Sequence, residues 1–110
     1  MSEIEGAKKA LESVIEAVKG LKGITEEKRR GLLARAQSTC NIVIQNEKKI
    51  WLKTSVGKAV VSDLNSSSVT LLEVVGQFKD EAELEAALAN VESQTRKIEE
   101  ETRRRSMIIT

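Results

Sequence analysis

Hydrophobic residues recur along this chain at alternating steps of three and four, which places them on one stripe of a helix. The stripe is regular up to residue 21, resumes after residue 32 and returns near the C-terminus. Its members are Ile4, Ala7, Leu11, Val14, Val18, Leu21, Leu33, Ala36, Cys40, Val43, Ile50, Val61, Leu64, Leu84, Leu88, Val91 and Ile98. This repeat predicts an all-α, antiparallel helical bundle with coiled-coil-like packing along a seam.

Capping and breaking residues set the predicted helix boundaries. Candidate N-cap residues, each followed by glutamate in the first turn, are Ser2, Thr25 and Asp80. Gly23 favours a turn after the first helix, and the polar run at 65–68 is the strongest breaker in the middle of the chain. The predicted helices are therefore residues 2–22, 25–64, 68–78 and 80–106, in a single domain of 110 residues.

Two arrangements of these helices fit the pattern. The favoured one is a short first helix plus a long helical hairpin, in which residues 25–64 form one helix of roughly 60 Å. However, Glu47, Thr54 and Gly57 are poor seam residues. Turns near Thr54 and Lys79 would instead give a compact four-helix up-down bundle. Residues 41–45 and 50–54 are also β-branched enough for a hairpin, although their linker lacks the glycine that tight hairpins favour.

The composition argues against catalysis. Histidine is absent, which removes the commonest general base and the usual transition-metal ligand. Gly57 and Lys58 lack the earlier glycine of a phosphate-binding loop. The sequence thus predicts no enzyme, no catalytic residue, no cofactor and no metal site. The only aromatic residues are Trp51 and Phe78, and Trp51 is predicted to pack in the core beside Ile50, with an interaction hot spot on a partner surface as the alternative.

A cytoplasmic protein with no membrane contact is expected. The acidic N-terminus does not resemble a signal peptide, and no apolar run reaches the length of a membrane span. Cys40 is the only cysteine, which excludes an intrachain disulfide and fits a reducing compartment. Its position on the seam predicts a buried, unreactive thiol.

Charge is unevenly distributed along the chain. Residues 23–65 carry eight cations and four anions, whereas residues 66–101 carry three cations and nine anions. These segments should attract one another when packed side by side. The whole chain carries only +1, which argues against a dedicated nucleic-acid binder. The alternative function is nevertheless phosphate or nucleic-acid binding by the basic segment 28–58, with contacts from Lys28, Arg29, Arg35, Lys48, Lys49 and Lys53.

One further motif is a run of three glutamates at 99–101, followed by three arginines at 103–105 and by Ser106. On a helix the acidic and basic residues pair at i,i+4, which explains the run structurally. The arginines also make Ser106 a candidate phosphorylation site.

The predicted function is a non-enzymatic protein–protein interaction or structural adaptor bundle. In the long-hairpin arrangement, two helices at the tip cannot bury all of its apolar side chains. A homodimer or a helical partner protein would then complete a four-helix bundle. The predicted partner-binding residues are Val60, Leu64, Leu71, Leu72, Val75 and Phe78.

Overall fold

The computed structural model describes residues 3–109, with side chains described as far as Ser106. It contains four α-helices, α1 (Glu3–Lys19), α2 (Glu26–Asn46), α3 (Ser55–Gly76) and α4 (Glu81–Ile109), and a 3₁₀ turn at Ile50–Lys53. No strand occurs between residues 3 and 109. The all-α prediction is therefore confirmed, and the hairpin alternative for residues 41–54 is wrong. The predicted cap at Ser2 lies outside the described residues.

The long helix predicted for residues 25–64 is wrong, because the chain leaves the helix at residues 47–54. The Asn46 side-chain amide turns back and donates to the Ile42 carbonyl at 2.8 Å, at the end of α2. Thr54 then caps α3, because its hydroxyl accepts from the Gly57 amide at 3.1 Å and donates to the Trp51 carbonyl at 2.6 Å. Two of the poor seam residues therefore mark helix ends: Glu47 follows α2, and Thr54 precedes α3.

The loop predicted at residues 65–68 is also wrong, since these residues lie in the middle of α3. Ser68 is fully buried on the seam, between Leu64 and Leu71. Burial of the apolar face of α3 outweighs the weak helix propensity of serine. The helices predicted at 25–64 and 68–78 are thus replaced by α2 and α3. This is the four-helix alternative.

The predicted N-caps at Thr25 and Asp80 are confirmed, whereas α1 ends at Lys19, before the predicted residue 22, and α4 continues past residue 106 to Ile109. The Thr25 hydroxyl accepts from the Lys28 amide at 3.2 Å, and Asp80 Oδ1 accepts from the Glu83 amide at 2.8 Å. Gly23 has a φ of 87°, a left-handed conformation that favours glycine, in the turn between α1 and α2.

Helix α1 packs against α2 and α3, and α4 packs against the same two helices. The directions of α1 and α3 follow from two close approaches: Gly6 lies against Asn65, and Gly23 lies against Phe78. Helices α1 and α3 therefore run parallel to each other. The apolar stripe of α1 faces inward along its whole length, with Ile4, Ala7, Ala10, Leu11, Val14 and Val18 buried.

Helices α2 and α4 are likewise parallel neighbours, because Lys28 pairs with Glu81 near their starts and Thr102 bonds Asn46 at the end of α2. Successive helices alternate in direction, as in the up-down alternative. However, α2 and α3 lie across a diagonal of the bundle, and residues 47–54, here called the crossover segment, connect them. The molecule measures 48 × 25 × 19 Å.

Candidate functional site

The six predicted partner-binding residues lie in or against the bundle's own core. Leu64, Leu71 and Val75 are buried, whereas Val60, Leu72 and Phe78 are half-buried and pack against them. The prediction assumed two helices at the tip, but the structure surrounds this part of α3 with α1 and α4. The buried side chains Leu64, Leu71 and Val75 would reach a partner only if the bundle opened, whereas the half-buried Val60, Leu72 and Phe78 keep part of their surface exposed.

The structure divides the six predicted phosphate contacts into two groups. The first group, Lys28, Arg29 and Arg35, bonds within the protein. Lys28 pairs with Glu81, and Arg29 donates to the Leu21 carbonyl from Nε at 3.0 Å and also pairs with Glu26.

Arg35 bridges two carboxylates of α4. Its Nη1 lies 2.6 Å from Glu85 Oε1, and its Nη2 lies 2.6 Å from Glu92 Oε1. The hydrogen bond from Arg35 lowers the pKa of the Glu92 carboxyl and raises the pKa of the Arg35 guanidinium. The predicted attraction between the basic and acidic segments is confirmed along this α2–α4 interface.

The second group, Lys48, Lys49 and Lys53, lies on the crossover segment at the opposite end of α2. None of the three side chains forms a hydrogen bond or an ion pair within residues 3–106, although the Lys49 backbone N–H donates to the Asn46 carbonyl at 3.0 Å. Lys58 and Arg103, near the same end, are also unpaired within this range. Sequence reasoning found these lysines but did not separate them from the internally bonded cations, because charge alone does not reveal which carboxylates lie nearby.

Apolar side chains accompany these cations. Ile50 is 81% exposed and Val56 is 59% exposed, the two highest values among the exposed large hydrophobic residues. The seam pattern predicted a buried Ile50, which is wrong because the crossover segment turns it outward. Its neighbour Trp51 is buried, as predicted. We call the region formed by Lys48, Lys49, Ile50, Trp51, Val56 and Arg104 the crossover surface.

Two open grooves meet at Trp51 and Arg104. The larger, of about 780 Å³, runs past Ile50 between the crossover segment and the end of α4, where Thr102, Arg105 and Ser106 also line it. The smaller, of about 440 Å³, runs past Val56 and Val60. Volumes of this size accommodate large side chains.

A chain of hydrogen bonds fixes the Trp51 ring beneath this surface. Trp51 Nε1–H donates to Thr102 Oγ1 at 2.9 Å, and the Thr102 hydroxyl donates to Asn46 Oδ1 at 2.9 Å. The Arg105 guanidinium lies 5.3 Å from the ring centroid, and its Nε donates to Glu101 at 2.8 Å. Helices α2 and α4 therefore hold the crossover segment in place.

Glu101 also bonds Arg104, with Arg104 Nε at 3.1 Å from Glu101 Oε2. The sequence predicted three i,i+4 pairs between the glutamates at 99–101 and the arginines at 103–105. Among the described residues, the pair between Glu101 and Arg105 forms. The bonds from Arg104 and Arg105 lower the pKa of the Glu101 carboxyl.

Cys40 is buried, and burial raises the pKa of its thiol, consistent with the predicted structural role. Within residues 3–109, no cluster of three or more histidine, cysteine, aspartate or glutamate side chains is arranged to hold a metal ion. None of the described helices combines the length and the hydropathy that crossing a membrane requires.

No family model matches this sequence, and comparison with curated proteins and with solved structures finds no significant similarity to either.

Proposed function

We propose that this protein is a non-enzymatic interaction bundle that binds an acidic, amphipathic helical segment of another protein at the crossover surface. The observation that carries the proposal is the exposure of Ile50, 81% exposed beside the fixed Trp51 ring. A large aliphatic side chain so exposed next to a groove is a typical anchor for a partner. The protein–protein interaction function is the one predicted from the sequence. The proposed binding surface is different, because it is the crossover surface and not the apolar residues of α3.

The chemistry of the larger groove favours an acidic partner, because cations and, among the described residues, no carboxylate line it, whereas Glu100 and Glu101 line the smaller groove together with Lys97. Ile50 and Val56 offer apolar contact on either side of Trp51, and the unpaired Lys48 and Lys49 lie at the rim. An amphipathic helix with an apolar stripe and flanking carboxylates would match both features. The rim cations would increase the association rate, and the apolar anchors would slow dissociation.

The hydrogen bonds beneath the surface support this proposal. Trp51 is held by Thr102, which is held in turn by Asn46. A surface fixed before binding loses less conformational entropy when the partner arrives. A cytoplasmic location belongs to the same proposal, since the single, buried Cys40 fits a reducing compartment.

Fluorescence of Trp51, the only tryptophan, provides the test. The probe is a synthetic peptide of about 18 residues, or five helical turns, with a leucine stripe and glutamates on its other positions. A peptide of the same composition in scrambled order is its control. We expect a saturable change in Trp51 emission with the amphipathic peptide, and equal responses to both peptides would contradict the proposal.

A matched pair of variants locates the binding. Ile50→Glu should weaken the amphipathic peptide at least about tenfold, because it removes the anchor and places a carboxylate beside the acidic probe. Val69→Glu is the control, since Val69 is 41% exposed but lies on α3 away from the crossover segment. Equal losses in the two variants would argue against the crossover surface.

Phosphate or nucleic-acid binding is the second candidate, because Lys48, Lys49, Lys53, Lys58 and Arg103 lie unpaired near one end of the bundle. It differs from the first in its dependence on salt. A single-stranded RNA oligonucleotide should bind with an affinity that falls steeply with salt and is reduced in Lys53→Gln/Lys58→Gln. No binding at low salt would eliminate this candidate.

Self-association also stays a prediction. The burial of Leu64, Leu71 and Val75 removes its original basis, so it would rest on exposed apolar side chains, of which Ile50 and Val56 are the most exposed. Solution mass by light scattering, together with small-angle scattering, tests it. A monomer at tens of micromolar would exclude a stable homodimer.

A further inference from the structure

We infer that Ser106 is a phosphorylation site and that its phosphate closes the crossover surface to acidic partners. The modification is independent of the proposed function, whereas its consequence for binding rests on it. Ser106 is exposed on the last described turns of α4 and lines the larger groove together with Lys48, Lys49, Arg104 and Arg105.

The sequence before Ser106 suits a serine kinase that recognises basic substrates. Three consecutive arginines precede the hydroxyl, and Arg103 and Arg104 are well exposed. The acidic substrate channel of such a kinase would bind guanidinium groups through charge-assisted hydrogen bonds. Helix α4 is 29 residues long and continues to Ile109, beyond the contact of Thr102 with the end of α2. Unwinding its last turn to present Ser106 would therefore cost little.

The transfer itself needs ATP and the kinase. The Ser106 Oγ attacks the γ-phosphorus, the Oγ–P bond forms, and the bond from the γ-phosphorus to the β–γ bridging oxygen breaks. ADP leaves with that electron pair, and the hydroxyl proton passes to a base of the kinase and then to water. The product carries about −1.5 to −2 of added charge at neutral pH.

The added charge lies where the proposed partner would bind. Lys48 and Lys49 are unpaired in the described residues and face the same groove as Ser106. A phosphate on Ser106 would accept hydrogen bonds from these ammonium groups and would repel carboxylates of an incoming segment. The modified protein should therefore bind the acidic amphipathic peptide at least about tenfold more weakly.

The experiment treats the full chain with Mg·ATP and a serine kinase specific for basic motifs, and fragment mass spectrometry then locates the phosphate. Wild type should be modified at Ser106, Ser106→Ala should not be, and Arg103→Gln/Arg104→Gln should be modified much more slowly. The exposed Ser62, which no arginine precedes closely, is the internal control. Absence of phosphate on Ser106, or equal modification of Ser62, would overturn the assignment.

A second readout does not depend on partner binding. The ³¹P resonance of the phosphoserine should titrate with a lowered pKa in wild type, and Lys48→Gln/Lys49→Gln should raise that pKa although the neighbouring arginines remain. Equal titration in the two proteins would overturn the contact with the lysines. Unchanged peptide affinity after phosphorylation would overturn the regulatory role. If the unmodified protein binds no peptide, the proposed function fails, and the ³¹P titration still decides the contact.

Discussion

The α2–α4 interface and the crossover end use similar cations in opposite ways. At the interface, Lys28 and Arg35 face Glu81, Glu85 and Glu92 on a parallel neighbour and form ion pairs within the molecule, with the Lys28–Glu81 pair on its exposed surface. At the crossover end, the lysines leave the helix and meet no carboxylate partner in the described structure. Basic residues from one segment of sequence therefore divide into an internal and an external group. The difference indicates that the second group is available for binding.

The largest expected effect comes from dislodging the crossover segment. A Cβ on Gly57 would lie 2.5 Å from Leu52 Cα and 2.6 Å from Leu52 C, so backbone would have to move. Gly57→Ala should destabilise the protein by about 3 kcal/mol or more. Gly31→Ala is the control, since nothing lies within 4 Å of its added Cβ, and it should stabilise α2 by about 0.5–1 kcal/mol. Urea denaturation measures both, and similar effects of the two would contradict the close packing of the crossover on α3.

The next effect concerns the support of Trp51. Thr102→Val removes the acceptor of the indole N–H and the donor to Asn46 with little change in shape, so unfolding free energy should fall by about 1–3 kcal/mol. Thr95→Val is the matched control, because the buried Thr95 hydroxyl bonds only the Glu92 carbonyl of its own helix. The emission of Trp51 should shift in the first variant only. An unshifted spectrum in Thr102→Val would show that the ring does not depend on this bond.

The internal cations should contribute to stability in a pH-dependent way. Arg35→Ala should lower the unfolding free energy at pH 7 by about 1–2 kcal/mol. Arg35 lowers the pKa of Glu92 in the folded state, so its contribution is complete above the unfolded pKa of about 4.3 and is lost as pH falls through the lower folded value. Wild type and variant should therefore converge in acid. Arg35→Lys, which keeps the charge but not the two-pronged geometry, should lie between them at pH 7. A constant difference at all pH values would contradict the pairing.

The smallest effect is a gain in stability. The Ser68 hydroxyl is buried without a hydrogen-bond partner among the described atoms. Ser68→Ala should raise the unfolding free energy by about 0.5–1 kcal/mol, because no bond is lost and a polar group is no longer desolvated. Ser66→Ala, on the exposed face of the same helix, should change it by less. A loss of stability in Ser68→Ala would indicate a bond that the geometry does not reveal.

The sequence predicted most of the helices but not the site. The spacing of Ile4 to Val18 predicted α1, and Thr25 and Asp80 predicted where α2 and α4 begin, because these signals are local. The run at 65–68 was misleading, because tertiary packing of Leu64 and Leu71 overrides the local preference of serine.

The crossover segment was predicted only in part, because the four-helix alternative placed a turn near Thr54 whereas the favoured arrangement ran one helix through it. Thr54 caps α3 without an acidic residue after it, and Ile50 falls on the seam register although the chain has already left the helix. The outward turn of Ile50 depends on the diagonal connection between α2 and α3, which periodicity does not encode. Lys48, Lys49 and Lys53 were identified from charge, but their unpaired state depends on where α4 places its carboxylates.

The most direct test of the division between internal and external cations compares Lys48→Glu/Lys49→Glu with Arg35→Glu. Unfolding free energy and Trp51-detected affinity for the acidic amphipathic peptide are measured for each. The crossover variant should keep its stability within about 0.5 kcal/mol of wild type and lose at least about tenfold in affinity. The Arg35 variant should lose stability and keep its affinity. The reverse pattern, or equal effects of the two variants on both quantities, would contradict the account.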